Sequence, residues 1–218
     1  SHHRTTQPLQ IGTVQRADTS LYPLHLRTET LGFPSYQTPI KLQLQKIPFQ
    51  KKTARAFVKA QTQQPSQLEL QLNDSLYKKE ALVQLTIADK VAFIESFKQN
   101  EEIVNYLKKN HKAQLIKGLA IAFNVQDTNI LFEADELFLV NSGVKSYAIQ
   151  VYKNKTLTQT LHFNQGVVFA YQVFKPCWKE TRPGQVELYE LVSNHERCPI
   201  NTYRQAKNAP QIIPLNKL

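Results

Sequence analysis

Residues 147–174 read YAIQVY-KNK-TLTQTLHF-NQG-VVFAYQVF, and this stretch decides the fold class. Two β-prone runs, Tyr147–Tyr152 and Thr156–Phe163, flank the polar triplet Lys153-Asn154-Lys155 and predict a hairpin. A second turn, Asn164-Gln165-Gly166, leads into Val167–Phe174, which is apolar on both faces and so reads as a central strand. Working outward, Leu119, Ile121 and Phe123 alternate with alanines, and Ile130–Phe132 and Leu137–Val140 flank an acidic stretch. Asn141-Ser142-Gly143 reads as a turn, and Val186–Val192 is the last strand expected.

The same period of two runs through the first half of the chain. Leu24, Leu26 and Thr28 alternate with His25 and Arg27, and Ile40, Leu42 and Leu44 with Lys41, Gln43 and Gln45. Leu68, Leu70 and Leu72 follow, then Leu82, Val83, Leu85 and Ile87. Helical spacing is strong in one place. Asp89 suits an N-cap; Phe93, Phe97, Val104 and Leu107 form an apolar stripe; Lys108 and Lys109 complement the dipole of the last turn. Asn100-Glu101-Glu102 offers a second helix start within it. The expectation is a mainly β class: antiparallel, sandwich-like sheets with one amphipathic helix at about residues 89–110.

The chain divides into an irregular N-terminal arm at 1–20, an N-terminal β segment at 21–60, a main β-sandwich domain with its helix at 67–204, and a Pro-containing tail at 205–218. Ser1-His2-His3 resembles the stub of a purification tag, and the lack of methionine, position 1 included, reads as a processed chain or a fragment. The polar stretch Gln61–Ser66 reads as a linker or exposed loop. In the tail, Ile212, Ile213 and Leu215 lie between and beyond Pro210 and Pro214, a composition suited to docking in a groove or on a sheet edge.

Apolar residues at 41% and charged residues at 20% fit a globular chain and exclude wholesale disorder. No apolar run reaches the ~18 residues that span a bilayer. The net charge of +10 points to an anionic partner or to a solvated Lys- and Gln-rich surface. Two basic clusters stand out. Lys46, Lys51, Lys52, Arg55 and Lys59, with Lys41, are interleaved with Phe49 and Phe57; Lys108, Lys109 and Lys112 accompany His111 and Lys117. Lysines neutralise phosphates and aromatics stack on bases, but the phenylalanines fit a buried sheet face better.

Catalytic signatures are sparse. Six glycines and no Gly-x-Ser-x-Gly argue against nucleophile elbows and phosphate loops. Cys177 with His162 or His195 is the one conceivable nucleophilic dyad, and His195-Glu196-Arg197-Cys198 with distant Cys177 offers three possible ligands where structural zinc wants four, usually as closely spaced pairs. An isolated pair, Cys177 and Cys198, flanking a loop reads most economically as a disulfide, which implies an oxidising compartment. Glu133, Asp135 and Glu136 offer carboxylates of the kind a hydrolase pairs across a scissile bond; a solvated acidic edge explains them equally.

These observations lead to a non-enzymatic module of a cell-envelope, adhesion or secretion assembly, periplasmic or secreted, with a protein partner or a second copy. No cofactor and no metal are expected. The alternative is a basic nucleic-acid-binding protein, and the third reading a hydrolase with its acids near Glu133–Glu136.

Overall fold

The computed structural model describes residues 9–16, 29–48, 50–62, 64 and 82–209. The described elements are β1 (Val14–Arg16), β2 (Thr30–Gly32), β3 (Ile40–Lys46), α1 (Lys51–Gln61), β4 (Leu82–Ile87), α2 (Lys90–Lys98), α3 (Glu101–Lys109), β5 (Ala113–Ala122), α4 (Val125–Glu133), β6 (Glu136–Gly143), β7 (Ser146–Lys153), β8 (Thr156–His162), β9 (Val167–Arg182) and β10 (Gln185–Ser193). The class is mainly antiparallel β. The ten strands join in one sheet, in the order β10-β9-β5-β4-β3-β6-β7-β8, with β1 on the edge of β5 and β2 beside β1. β3 lies between β4 and β6, so Ile40–Lys46 of the expected N-terminal β segment shares its sheet with the strands that follow.

The hairpin at the heart of the sequence reading closes on two residues. Asn154 and Lys155 both take positive φ, 51° and 62°, between the paired Lys153 and Thr156. That geometry matches the right-handed twist of the flanking strands. β9 lies between β5 and β10, as its two apolar faces require. Val168 and Val173 enter the main core with Ile121 and Leu85, whereas Val167 and Phe169 turn the other way, onto Leu82 and Ala122 and under Phe57 and Ala60 of α1. Where β4 and β5 pass, Gly118 is obligatory: a Cβ there would sit 2.5 Å from the Thr86 methyl and 2.7 Å from the Leu85 carbonyl oxygen.

Four helices are present among the described residues rather than one. Asp89 caps α2 as expected, its carboxylate accepting from the Ala92 N–H at 2.9 Å. The 89–110 helix then breaks, because the Asn100 carboxamide is bound on both sides. It donates to the Ser96 and Phe97 carbonyls and to Ser35, and accepts from the Ser35 N–H at 2.7 Å. Residues 51–61, placed by the sequence in a β segment, form α1; Phe57 and Ala60, three apart, are its buried stripe. Ile130–Phe132, read as a strand, belongs to α4, capped by Asn124 accepting from the Asp127 N–H at 2.7 Å. A short apolar triplet does not distinguish the two periods.

Part of the arm at 1–20 is also ordered, against expectation. Ile11 and Val14 are fully buried, β1 pairs with β5, and the buried Tyr36 hydroxyl donates to the Gly12 carbonyl. Gln64, in the expected linker, binds the Val168 backbone through both ends of its carboxamide. The expected strands at Leu24–Thr28 and Leu68–Leu72, and the tail residues Ile212, Ile213 and Leu215, lie outside the described residues.

Candidate anion-binding groove

The disulfide expected from the isolated pair is formed: Cys177 and Cys198 are bonded, with their Cα atoms 5.7 Å apart. Cys177 is fully buried on β9. Next to it, Trp178 and Tyr203 exchange two backbone hydrogen bonds, of 2.7 and 2.8 Å. Together these ties hold the segment 198–209 against β9, with Arg204 and Gln205 beside Lys175 and Pro176 and Lys207 in the adjoining cleft.

Two adjoining clefts result. The larger, about 490 Å³, is lined by Lys108, Lys109, His111, Glu180, Lys207 and Ala206, among others. The smaller, about 310 Å³, is lined by Lys112, Gln114, Lys175, Pro176 and Arg204. His111 and Gln205 line both. The cations come from four places: the end of α3, the turn before β5, the middle of β9 and the C-terminal segment. None of Lys108, Lys109, Lys112, Lys175 and Lys207 forms an ion pair among the described residues. The single acid among the described lining residues, Glu180, accepts from the Gly184 N–H at 2.7 Å across the Pro183-Gly184 turn.

Arg204 is fixed where it stands. Its Nη2 donates to the Glu196 carbonyl, and its buried Nη1 has no acceptor among the described residues. The Glu196 carboxylate in turn accepts from the Ser193 N–H, which holds its pKa below the usual carboxylate range, with Lys90 and Lys117 adding to the effect.

The structure therefore splits the basic residues that the sequence grouped. Lys108, Lys109 and Lys112 reach the groove with His111. Lys117 turns away to the Ser193 hydroxyl and the Phe174 ring. Lys46 packs on the Phe132 ring and Lys41 pairs with Glu136. Lys51, Lys52, Arg55 and Lys59 lie on α1, which packs near Ala122, at the far end of β5 from Ala113 in the groove. Nine residues of strand separate those ends, roughly 30 Å. Lys175, Arg204 and Lys207 had no sequence signal as site residues. The β5–β9 ladder sets Lys175 beside the start of β5, and the disulfide and the Trp178–Tyr203 bridge bring in Arg204 and Lys207, about thirty positions further along the chain.

The other candidates are engaged elsewhere. Cys177 is no free thiol for His162 or His195. Glu133 ends α4 and pairs with Lys153 at 3.3 Å, Asp135 accepts from the Asn154 N–H at 2.6 Å, and Glu136 pairs with Lys41 at 3.2 Å. Glu133 and Asp135 thus do not share a strand face, and each carboxylate is turned to its own neighbour. Among the described residues no three His, Cys, Asp or Glu side chains converge as a metal site would require. No helix among them is long and apolar enough to cross a membrane. Comparisons with protein-family models, with curated proteins and with solved structures find no match for this chain.

Proposed function

We propose that the protein is a non-enzymatic binding or structural module of an envelope, adhesion or secretion assembly, working in an oxidising compartment outside the cytoplasm. The observation that carries the reading is the Cys177–Cys198 disulfide, which fastens the C-terminal segment to the sheet. Such bonds persist outside the reducing cytosol. Binding rather than catalysis accords with the acids of the Glu133–Glu136 stretch, which are spent on Lys153, Lys41 and a turn N–H. The nucleic-acid reading keeps the exposed α1 stripe of Lys51, Lys52 and Arg55 as its support.

The test is acid-quenched alkylation of the protein taken directly from its native cells, followed by peptide mapping and cell fractionation. The expected result is a bonded Cys177–Cys198 peptide in the envelope or secreted fraction. Two alkylated thiols in the cytosolic fraction would overturn the reading.

A further inference from the structure

We propose that the paired clefts beside β9 bind a compact ligand carrying two phosphoryl groups, one in each compartment. This gives a ligand class to the binding module proposed above.

Three observations carry it. The clefts measure about 490 and 310 Å³, the scale of small-ligand sites rather than of a flat polymer track. Their linings are crowded with cations that no carboxylate of the described residues pairs, in a molecule that elsewhere pairs Arg16, Lys41, Lys90, Lys98 and Lys153. A protein surface that repels itself at one spot is suited to an anionic guest. Finally, Arg204 is held at the smaller cleft by the Glu196 carbonyl, and its other terminal nitrogen, buried there, meets no acceptor among the described residues. A guanidinium held in place is the side chain best shaped for phosphate, and preorganisation lowers the ordering cost of binding.

Two compartments sharing His111 and Gln205 set the ligand's form. Lys112, Lys175 and Arg204 serve one phosphoryl group; Lys108, Lys109 and Lys207 serve the other. Such a group arrives either on a soluble bisphosphate or on a bisphosphorylated lipid headgroup. The shared chemistry is the same.

The experiment titrates the full chain, disulfide intact, with orthophosphate, with a hexose bisphosphate, and with phosphatidylcholine vesicles containing a bisphosphorylated inositol lipid. Calorimetry gives the affinity, and backbone amide shifts locate the site. The bisphosphate should bind more tightly than orthophosphate by roughly a hundredfold, because the second group docks intramolecularly. Its shifts should centre on His111, Lys112, Lys175 and Arg204. A Lys112→Gln/Lys175→Gln variant should weaken it by roughly tenfold, and Lys51→Gln/Lys52→Gln/Arg55→Gln on α1 should leave it unchanged.

Tighter binding to the vesicles than to the soluble bisphosphate assigns the headgroup as the source; the reverse assigns the soluble ligand. Equal affinity for orthophosphate and bisphosphate would overturn the proposal. So would equal loss in the α1 variant, or a single-stranded oligonucleotide that outcompetes the bisphosphate at physiological salt. A failure here with the thiols still bonded leaves the compartment reading standing, and free thiols with bisphosphate in the groove do the opposite.

Discussion

Two regions of this molecule use the same side chains to opposite ends. Around the α4–β6 junction and the β7–β8 hairpin, acids and bases are interleaved: Glu133 meets Lys153, Glu136 meets Lys41, and Asp135 receives the Asn154 N–H. Around the end of α3 and the middle of β9, lysines crowd together with Glu180 as the one acid among the described lining residues. The first arrangement neutralises itself and closes a corner of the fold. The second leaves its lysines without a carboxylate partner among the described residues, and a covalent bond holds the segment that adds Arg204 and Lys207 to them. Charge that a fold does not consume is charge left for a partner.

The largest effect should come from that bond. Cys177→Ser/Cys198→Ser removes a cross-link between residues 21 positions apart, which the chain-entropy model values at about 3 kcal/mol. The loss should be uneven. Hydrogen exchange at Trp178 and Tyr203, whose backbone bridge sits beside the disulfide, should rise well above that at Ile149 and Val151 in β7. Uniform loosening of both regions would mean that the disulfide stabilises the whole chain, with no special hold on the groove.

A smaller effect separates paired charge from crowded charge. A double-mutant cycle on Lys41 and Glu136, each half-exposed and 3.2 Å apart, should give a coupling of about 0.2–1 kcal/mol. Denaturant unfolding of wild type, Lys41→Ala, Glu136→Ala and the double variant measures it. The same cycle on Lys112 and Lys175 should give a coupling of opposite sign; coupling of the same sign in both would erase the contrast.

What could be read from the chain follows from where the information sits. The hairpin at 147–163, the central strand at 167–174 and the cap at Asp89 were legible because each is a local pattern with a local cause. The breaks and the extra helices were less so. The second helix start at Asn100-Glu101-Glu102 was legible and is formed, but the contact that fixes it, the Asn100 carboxamide on Ser35, 65 positions earlier, shows in no window of sequence. Phe57 and Ala60, three apart, carry helical spacing, but two apolar residues in a lysine-rich stretch are too few to decide, and it is packing on Val167 and Phe169 that buries them. The groove was half legible. Lys108, Lys109 and Lys112 form a visible run, whereas Lys175 joins it through the β5–β9 ladder, and Arg204 and Lys207 through the Cys177–Cys198 bond and the Trp178–Tyr203 bridge.

Acidification should act on the groove's support. The Glu196 pKa is lowered in the folded chain, first by the hydrogen bond from the Ser193 N–H. A depressed carboxylate contributes stability above its unfolded pKa and loses it as pH falls through the folded one. Melting temperature should therefore drop as the pH is lowered through and below the ordinary carboxylate range, and Glu196→Gln should remove part of that drop. An unchanged pH profile in the variant would show that the turn at 193–196 does not depend on this charge.

The smallest expected effect is also the sharpest test of the comparison. Unit charges 4 Å apart in water interact by about 1 kcal/mol, and the interaction is screened over about 10 Å at 0.1 M salt. The groove lysines are exposed or half-buried, so each contributes only a few tenths of a kcal/mol of repulsion at low ionic strength. Neutralising one, Lys112→Gln, should thus stabilise the fold slightly at low salt and do nothing at high salt. Neutralising Lys153, which faces Glu133 at 3.3 Å, should destabilise it by a similar amount at low salt, with the same loss of effect at high salt. Paired thermal melts at the two ionic strengths decide the matter by sign alone. If both variants move the melting temperature in the same direction, the groove is not a place of unspent charge, and the electrostatic argument for a phosphorylated guest goes with it.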